Sequence, residues 1–495
     1  MKPDTKLSHR LSEIDAAFLY LERREIPLAI AGVFLFDGPI PFDDFVATID
    51  SRLPLIPRYR QVVAPSPFNL GHPTWENYPR FDILRHIHHV DLPAPGTEHE
   101  LEALAGQLLS QVMDRNRPLW EIHVVDGLSG GRGALIARVH HALADGIAGA
   151  ALLKIMFDTT PAGAHPIPKP PVFRIPPATE EHSLVEAIAS AVHSSLKSMI
   201  AAEAALLDFG QALFTERMQT GLQGLLKLLH EWAKPVERLP FNRPCGAERK
   251  FCWAEIDLTD VKAIRERLGG TVNDVILAIV TRAIARYTKL HGQPTADRFV
   301  RIICPVNVRQ EDQQSSLGNQ ITFLPVVLPM GVEDPAELLR AVSLRTEIMK
   351  SVRAAELVAI AGAWIGATPP PVQAWFWEGL PLLPLPLPLF NLICTNIPGS
   401  PTPLYSVGRR MIASYPQVPT GYELGVGIAV QSYDGRLFFG LTADALVAPD
   451  VIRLRNFIQA AFRDLCHAAG LKKSRGRAAV KRPRQFRVHL AASAD

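Results

Sequence analysis

A mainly apolar run, Ala134 to Val139, ends in two histidines, and Ala142-Leu143-Ala144-Asp145-Gly146 then leads into an Ala-rich stretch reaching Phe157. No other feature restricts the fold as much. The run reads as a buried strand and Gly146 to Phe157 as a helix packed in the core, so the histidines sit where a covered sheet turns into its covering helix. A lone histidine at a strand end is ordinarily a satisfied core residue. A doublet with Asp-Gly four residues on suits proton transfer better. Imidazole is the side chain whose unperturbed pKa lies near working pH, so it can take a proton and return it. Asp145 is placed to fix the loop or the ring, and Gly146 permits a backbone path that a side chain would block.

The chain has 495 residues, too many for one ordinary core and suited to two domains of about 200 residues each. A formal charge of +3 nominates no nucleic-acid partner. Five scattered cysteines without a CxxC pair suggest neither a disulfide framework nor a zinc site, and fit a reducing cytoplasm. The N-terminus is polar and mixed in charge, unlike a signal peptide. No stretch of about 18 uninterrupted apolar residues is present, so a spanning helix is not expected. The greasiest region, Leu380 to Phe390, is broken by Pro381, Pro384, Pro386 and Pro388. The GxxxxGK[ST], GxSxG and HExxH patterns are also missing, which removes support for nucleotide hydrolysis, serine esterase and metalloprotease chemistry.

In chain order, Leu11 to Phe18 begins a helix capped near Ser12, Ala29 to Phe36 is a strand, and Phe42 to Leu53 is an amphipathic helix. The tract Phe81 to Asp91 holds His86, His88 and His89. Its alternation suits a strand with His86 and His88 on one face better than a metal site, because no further ligand stands at helical spacing. Pro118-Leu119-Trp120 enters the strand Ile122 to Val125 and reads as scaffold. Thr159 to Ile175 is a proline-rich linker. Ser183 to Trp232 reads as one or two long helices, either packed on the domains or touching a membrane surface. Strands at Lys250–Asp257, Val300–Val306, Ile321–Leu328, Leu392–Thr395, Gly425–Tyr433 and Leu437–Thr442 follow, with Asp434-Gly435 as a hairpin turn. Helices are expected at Asp260–Leu268, from Val272 under a Thr271 or Asn273 cap, and at Asp450–Ala468. From Leu471 onward eight Lys or Arg face one acid, a local charge of +7 that leaves −4 for the rest. Such a tail reads either as solvated and disordered or as drawn to anionic lipid.

Several short motifs occur together and in order. They are Leu11-Ser12-x-x-Asp15-Ala16-x-Phe18, Pro118-Leu119-Trp120, HHxxxDG at His140 to Gly146, and Asn273-Asp274 before Val275-Ile276-Leu277-Ala278. Pro305-Val306-Asn307-Val308-Arg309, Leu317-Gly318-Asn319-Gln320 and Asn396-Ile397-Pro398-Gly399 follow. From Leu11 to about Ala468 the chain resembles the bacterial wax ester synthase/diacylglycerol acyltransferases. These lie within the superfamily of chloramphenicol acetyltransferase and the peptide-synthetase condensation domains.

The resemblance implies an α/β (α+β) two-domain chloramphenicol acetyltransferase-like fold, mixed sheets covered by helices, with an active-site tunnel at the junction. Residues 1–158 would form the N-terminal domain, 159–245 the linker and helical crossover, 246–470 the C-terminal domain and 471–495 the basic tail. His141 would be the general base for attack of an alcohol on an acyl-CoA thioester, with no acyl-enzyme. His140 would line the site or position the loop, and Asp145 would hold the loop, with Arg309 as its suggested partner. Asn273, Asp274 and Ser432 would face the channel, with Asn273 and Ser432 the candidate oxyanion donors. No cofactor and no metal are implied. The substrates would be acyl-CoA with a long-chain alcohol or diacylglycerol, with peripheral contact to a membrane or lipid droplet as a further partner. A condensation-type transfer to a carrier-linked amine, transfer to another lipid diol, and a non-catalytic lipid-surface binding protein are the competing readings.

Overall fold

The computed structural model describes residues 10–66, 71–143, 152–153, 155–162, 236–307, 321–351, 368–382 and 388–471. Asp145, Gly146, Arg309, the helices expected over 183–232 and the basic tail lie outside these residues.

The first half opens with helix α1 (Glu13–Leu21), where Ser12 Oγ accepts the Asp15 N–H as the expected cap. Strand β1 (Ala29–Phe36) and helix α2 (Phe42–Arg52) follow, then the short ribbon β2 (Gln61–Ala64) and β3 (Thr74–Asn77). Next come β4 (Ile87–Asp91), α3 (Glu98–Leu109), β5 (Trp120–Leu128) and β6 (Arg132–His140). The second half supplies β7 (Arg249–Asp257), α4 (Leu258–Leu268), α5 (Val272–Leu290), β8 (Phe299–Asn307), β9 (Ile321–Pro329), α6 (Pro335–Ser351) and α7 (Pro370–Gly379). It continues with β10 (Leu392–Ile397), β11 (Tyr405–Ser406), β12 (Arg409–Gln417), β13 (Val426–Tyr433), β14 (Arg436–Asp444) and α8 (Val451–Ala468).

Two mixed six-stranded sheets result, in the orders β11-β12-β1-β6-β5-β4 and β7-β14-β13-β10-β8-β9. The first sheet is not built from the first half alone. Strand β12 pairs antiparallel with β1, Ala31 opposite Gln417 and Val33 opposite Tyr415, so the second half completes its partner's sheet. At this crossing Gly440 of β14 lies so near the Pro416 carbonyl that a Cβ would come within 1.8 Å of it. Only glycine allows the second sheet to meet β12 there. The hairpin expected at Asp434-Gly435 is present, with φ of 44° and 79°, the pair of left-handed residues that a tight β-hairpin needs.

Each sheet has its own apolar core. Phe251, Trp253, Tyr433 and Phe438 of the second sheet nevertheless pack into the first core, and the Trp253 and Tyr415 rings stack 4.6 Å apart across the junction. Among the described residues no single helix is long and apolar enough to cross a membrane. The bent pair α4–α5 passes by composition only together, and the apolar face of α5, Val275 to Ala285, is consumed by the second core.

Candidate active site

The histidine doublet stands where β6 leaves the first sheet. His140 is still paired, opposite Ala29 of β1, and its N–H donates to Leu119 O at 2.9 Å. The His141 N–H reaches Leu28 O at 2.8 Å, so the doublet is held from both flanking strands. The Pro118-Leu119-Trp120 segment is therefore scaffold beside the doublet. The buried Trp120 pairs with Val139 in register and anchors its indole N–H on Tyr59 O at 2.8 Å.

The two imidazoles have separate environments. The His140 ring is fully buried; its Nδ1 accepts the Ala142 N–H at 3.0 Å, which places the ring proton on Nε2. That Nε2 lies 3.2 Å from Glu22 Oε1, off the ideal hydrogen-bond line but within charge contact. Glu22 also accepts the Leu28 N–H at 3.1 Å and meets Arg115 at 3.2 Å. Burial works to raise the Glu22 carboxyl, yet His140, the Leu28 amide and Arg115 outweigh it and hold it below the ordinary carboxylate value. One face of His141 stacks on Phe18 of α1, centroids 3.8 Å apart. Burial pushes the His141 pKa down to about 4, its own main-chain carbonyl opposing and His140 adding to the drop. Its Nδ1 finds no hydrogen-bond partner among the described residues.

The second-half candidates do other work. Thr271 caps α5, and Asp274 completes the reciprocal cap by accepting the Thr271 N–H at 2.8 Å. Thr346 of α6 donates to the other Asp274 oxygen at 2.7 Å, and the side chain is buried. Asp274 thus holds the helix start. Asn273 points elsewhere: its Oδ1 accepts from Asn396 Nδ2 at 3.4 Å. Ser432 Oγ accepts the Gly399 N–H at 3.2 Å, and a Cβ on Gly399 would come within 2.1 Å of Ser432 O. Asn273 and Ser432 therefore converge on the Asn396–Gly399 segment at the end of β10. Neither makes a hydrogen bond to His141.

The histidine tract does not converge. His86 precedes β4, its Nδ1–H donating to Trp120 O at 2.9 Å and its ring stacking on the Trp120 ring. His88 lies beside His123, and His89 pairs with Asp126 at 2.8 Å. Donor atoms of His89, Asp91 and Asp126 do fall within 4.8 Å of one another on the exposed outer end of the β4–β5 pair. Asp126 is six residues along β5 from Trp120, so this group is remote from the doublet. Sequence reading overlooked Glu22, Phe18 and Asn396. Phe18 lies in the recognised helix opening and Glu22 just past the end of that helix, but nothing in the spacing of either points ahead to the doublet.

A histidine doublet at a strand end, and two mixed sheets of which the first is completed by β12 from the second half, are the architecture of the chloramphenicol acetyltransferase-like fold. The structure superposes on the wax ester synthase/diacylglycerol acyltransferase from Marinobacter aquaeolei with a TM-score of 0.65 and 24% identity, covering 93% of this chain and 100% of that one. It also superposes on a variant starter condensation domain of rhizomide synthetase in complex with C8-CoA, with a TM-score of 0.56, 15% identity, and coverage of 93% and 95%. Residues 11–276 match the wax ester synthase/diacylglycerol acyltransferase catalytic domain and residues 317–466 the C-terminal domain of that family. The chain belongs to the wax ester synthase/diacylglycerol acyltransferase family. A protein of Mycobacterium tuberculosis named a probable diacyglycerol O-acyltransferase is 29% identical over 464 residues, 91% of this chain and 94% of that protein. A second of the same name and organism is 28% identical over 478 residues, covering 92% and 98%.

Proposed function

We propose that the chain transfers a long-chain acyl group from acyl-CoA to the hydroxyl of a fatty alcohol or a diacylglycerol, giving wax ester or triacylglycerol, with His141 as the base. The observation that carries the reading is the state of that ring. Burial holds it neutral at physiological pH, Phe18 stacks on one face, and the Leu28 carbonyl fixes the His141 main chain beneath it, beside a backbone turn that His140 and Glu22 hold. A neutral, positioned imidazole is what a hydroxyl proton needs as acceptor.

His141 takes the hydroxyl proton as the oxygen attacks the thioester carbonyl. The C–O bond forms, the tetrahedral oxyanion collapses, the C–S bond breaks, and the imidazolium returns its proton to the CoA thiolate. A thioester is already activated and one base serves both half-steps, so the route calls for no acyl-enzyme, metal or cofactor beyond acyl-CoA as co-substrate. Asn273 is the preferred oxyanion donor and Ser432 the weaker one; an oxyanion donor is worth about 3 to 4 kcal/mol. With its Oδ1 facing Asn396, the Asn273 NH2 is left to donate. Asp145, with Arg309 as its suggested partner, is proposed to hold the loop; both lie outside the described residues.

Thiol release from palmitoyl-CoA tests this, with hexadecanol, dipalmitoylglycerol or a long-chain amine as acceptor and His141→Ala as control. Release with an alcohol that the variant loses supports the reading. Release with the amine alone would place the protein with the condensation enzymes. No release from folded protein that still binds acyl-CoA would make it a binding protein. We further propose that the protein works at a lipid surface, where such acceptors reside.

A further inference from the structure

The segment that holds the histidine doublet is itself held from the second half. Glu22 reaches His140, and Leu28 O takes the His141 N–H. Between them Arg23 and Ile26 close a tight turn with reciprocal main-chain hydrogen bonds of 2.9 and 3.3 Å. Arg249, the first residue of β7, grips that turn. Its side chain is buried, and its Nη2 donates to Glu25 O at 2.6 Å and to Thr420 O at 3.1 Å. Its Nη1 donates to Gly246 O at 2.8 Å and to the buried Asp444 Oδ2 at 2.7 Å.

The clamp has little slack. Asp444 is fixed by the Leu446 and Val447 N–H groups, which donate to its Oδ1. The Arg249 N–H donates to Ser110 Oγ at 2.8 Å, and a Cβ on Gly106 of α3 would come within 2.7 Å of Arg249 O. Gly421, beside Thr420, touches the same turn: a Cβ there would lie 2.7 Å from Ile26 Cγ2 and 3.0 Å from Ile26 Cα. A buried ion pair is a weak source of stability, because well-packed apolar residues often serve as well. What a guanidinium adds is a planar fork that fixes several oxygens at once, which an ammonium does not do. Here the fork ties the Arg23–Ile26 turn to the second sheet.

We infer that Arg249 is a positioning residue for His141: it pins the Glu22–Leu28 segment, and through it the doublet, to the second half, so that the base is in place only when the two halves are docked. This rests on the reading of His141 as the base. Arg249→Lys keeps a charge opposite Asp444 and gives up the fork to Glu25 and Thr420. Its kcat for thiol release from palmitoyl-CoA should fall at least about tenfold, with KM changed by less than about twofold, because a shift of about 1 Å in a positioned group can cost about 10²-fold. Gly421→Ala displaces the same turn without touching the ion pair and should act alike. The carbon-13 resonance of the His141 ring, assigned by its loss in His141→Ala, reads the placement without turnover, since stacking on Phe18 makes it sensitive to small movements. It should move in both variants. Asp464→Asn is the control for stability alone: it loosens the pairs with Arg282 and Arg286 between α8 and α5 and should leave kcat and the resonance as in the wild type. Wild-type kcat and resonance in Arg249→Lys and Gly421→Ala would overturn the inference. So would an equal loss of kcat in Asp464→Asn at an equal loss of melting temperature, which would make the effect one of stability. If Arg249→Lys does not fold, Gly421→Ala decides alone. A wild type that transfers no acyl group to any acceptor, while the resonance still moves in the variants, would end the acyltransferase reading and leave the positioning role standing.

Discussion

Glu22 Oε1 lies 3.2 Å from His140 Nε2, and both side chains are shut off from solvent, at 1% and 0% exposure. The contact joins the end of α1 to the end of β6. Because the other His140 nitrogen accepts the Ala142 N–H, the carboxylate decides which way the ring faces and so the path of the loop that begins at His141.

Removing one partner of such a buried contact leaves the other unanswered. Glu22→Ala is expected to cost about 3 to 5 kcal/mol in denaturant unfolding, with kcat reduced as well. Glu22→Gln keeps an acceptor for Leu28 and His140 and should cost less. The carboxyl is held below its ordinary value, so its contribution is present above the unfolded pKa and is lost as pH falls through the lower folded value. Stability measured from pH 5 down to 3 should therefore fall more steeply in the wild type than in Glu22→Gln. An alanine variant as stable as the wild type would show that the contact does not matter.

His141→Ala should lower kcat by about 10²- to 10⁴-fold or more while leaving the far-ultraviolet spectrum intact. The pH profile gives a second check. The ring is neutral above a pKa of about 4, so the base form is present throughout the neutral range. kcat/KM should rise as pH increases through about 4 and then be flat to about pH 8, with no step near 6.5. A step near the ordinary histidine value would mean that the free enzyme leaves this ring far more hydrated than its packing against Phe18 suggests.

Much of this site was legible locally and little of it tertiarily. The Ser12 cap, the strand Ala29–Phe36 and the Asp434-Gly435 hairpin are written in neighbouring residues and lie where the spacing put them. The doublet was found because a polar pair closing an apolar strand is locally odd. Glu22 was missed because its meaning depends on a contact 118 residues away that no periodicity encodes. The lending of β12 to the first sheet is likewise invisible: Arg409 to Gln417 is not among the strands the pattern predicts, and no local pattern says which sheet would receive one. Asp274 shows the converse. Resemblance carries it to the channel and local reading makes it part of a helix cap, and its hydrogen bonds show the cap.

Glu102 of α3 predicts a separate pH effect. It accepts the Trp253 N–H at 3.3 Å and lies 3.5 Å from Arg455 of α8, where the two halves meet. Burial raises its pKa to about 7, with Arg455 and the Trp253 amide only partly opposing. A carboxyl raised above its unfolded value stabilises fully below the unfolded pKa, and that contribution is lost as pH rises through 7. Glu102→Gln, neutral at every pH, should match the wild type near pH 5 and melt higher than it near pH 9; a difference on the order of 2 kcal/mol is expected. Parallel melting curves across that range would place the Glu102 carboxyl in a wetter setting than its burial implies.

The Asn273-Asp274 pair can be divided by experiment, because the two side chains point to different partners. Asp274 is buried, completes the cap with Thr271 and receives the Thr346 hydroxyl, so Asp274→Ala removes a cap and a buried charge-assisted hydrogen bond, the hydroxyl keeping the Ser343 carbonyl as acceptor. A cap is worth about 1 kcal/mol and a hydrogen bond to a charged group about 1.5 to 3 kcal/mol, so the loss of stability should be about 2 to 4 kcal/mol. Asn273 sits on the first turn of α5, half-buried, with Asn396 as its recorded side-chain partner. Asn273→Ala should leave the melting temperature nearly unchanged. If its amide donates to the oxyanion, kcat should fall about 10²- to 10³-fold with little change in KM, because the interaction is made only in the transition state. Asn396→Ala is the control for orientation. It frees the Asn273 amide to rotate and should lower kcat less than Asn273→Ala, with the double variant no worse than Asn273→Ala alone. Additive losses in the double variant would mean that the two amides act on the substrate independently. Full activity in Asn273→Ala would transfer the oxyanion role to Ser432 or to a main-chain donor.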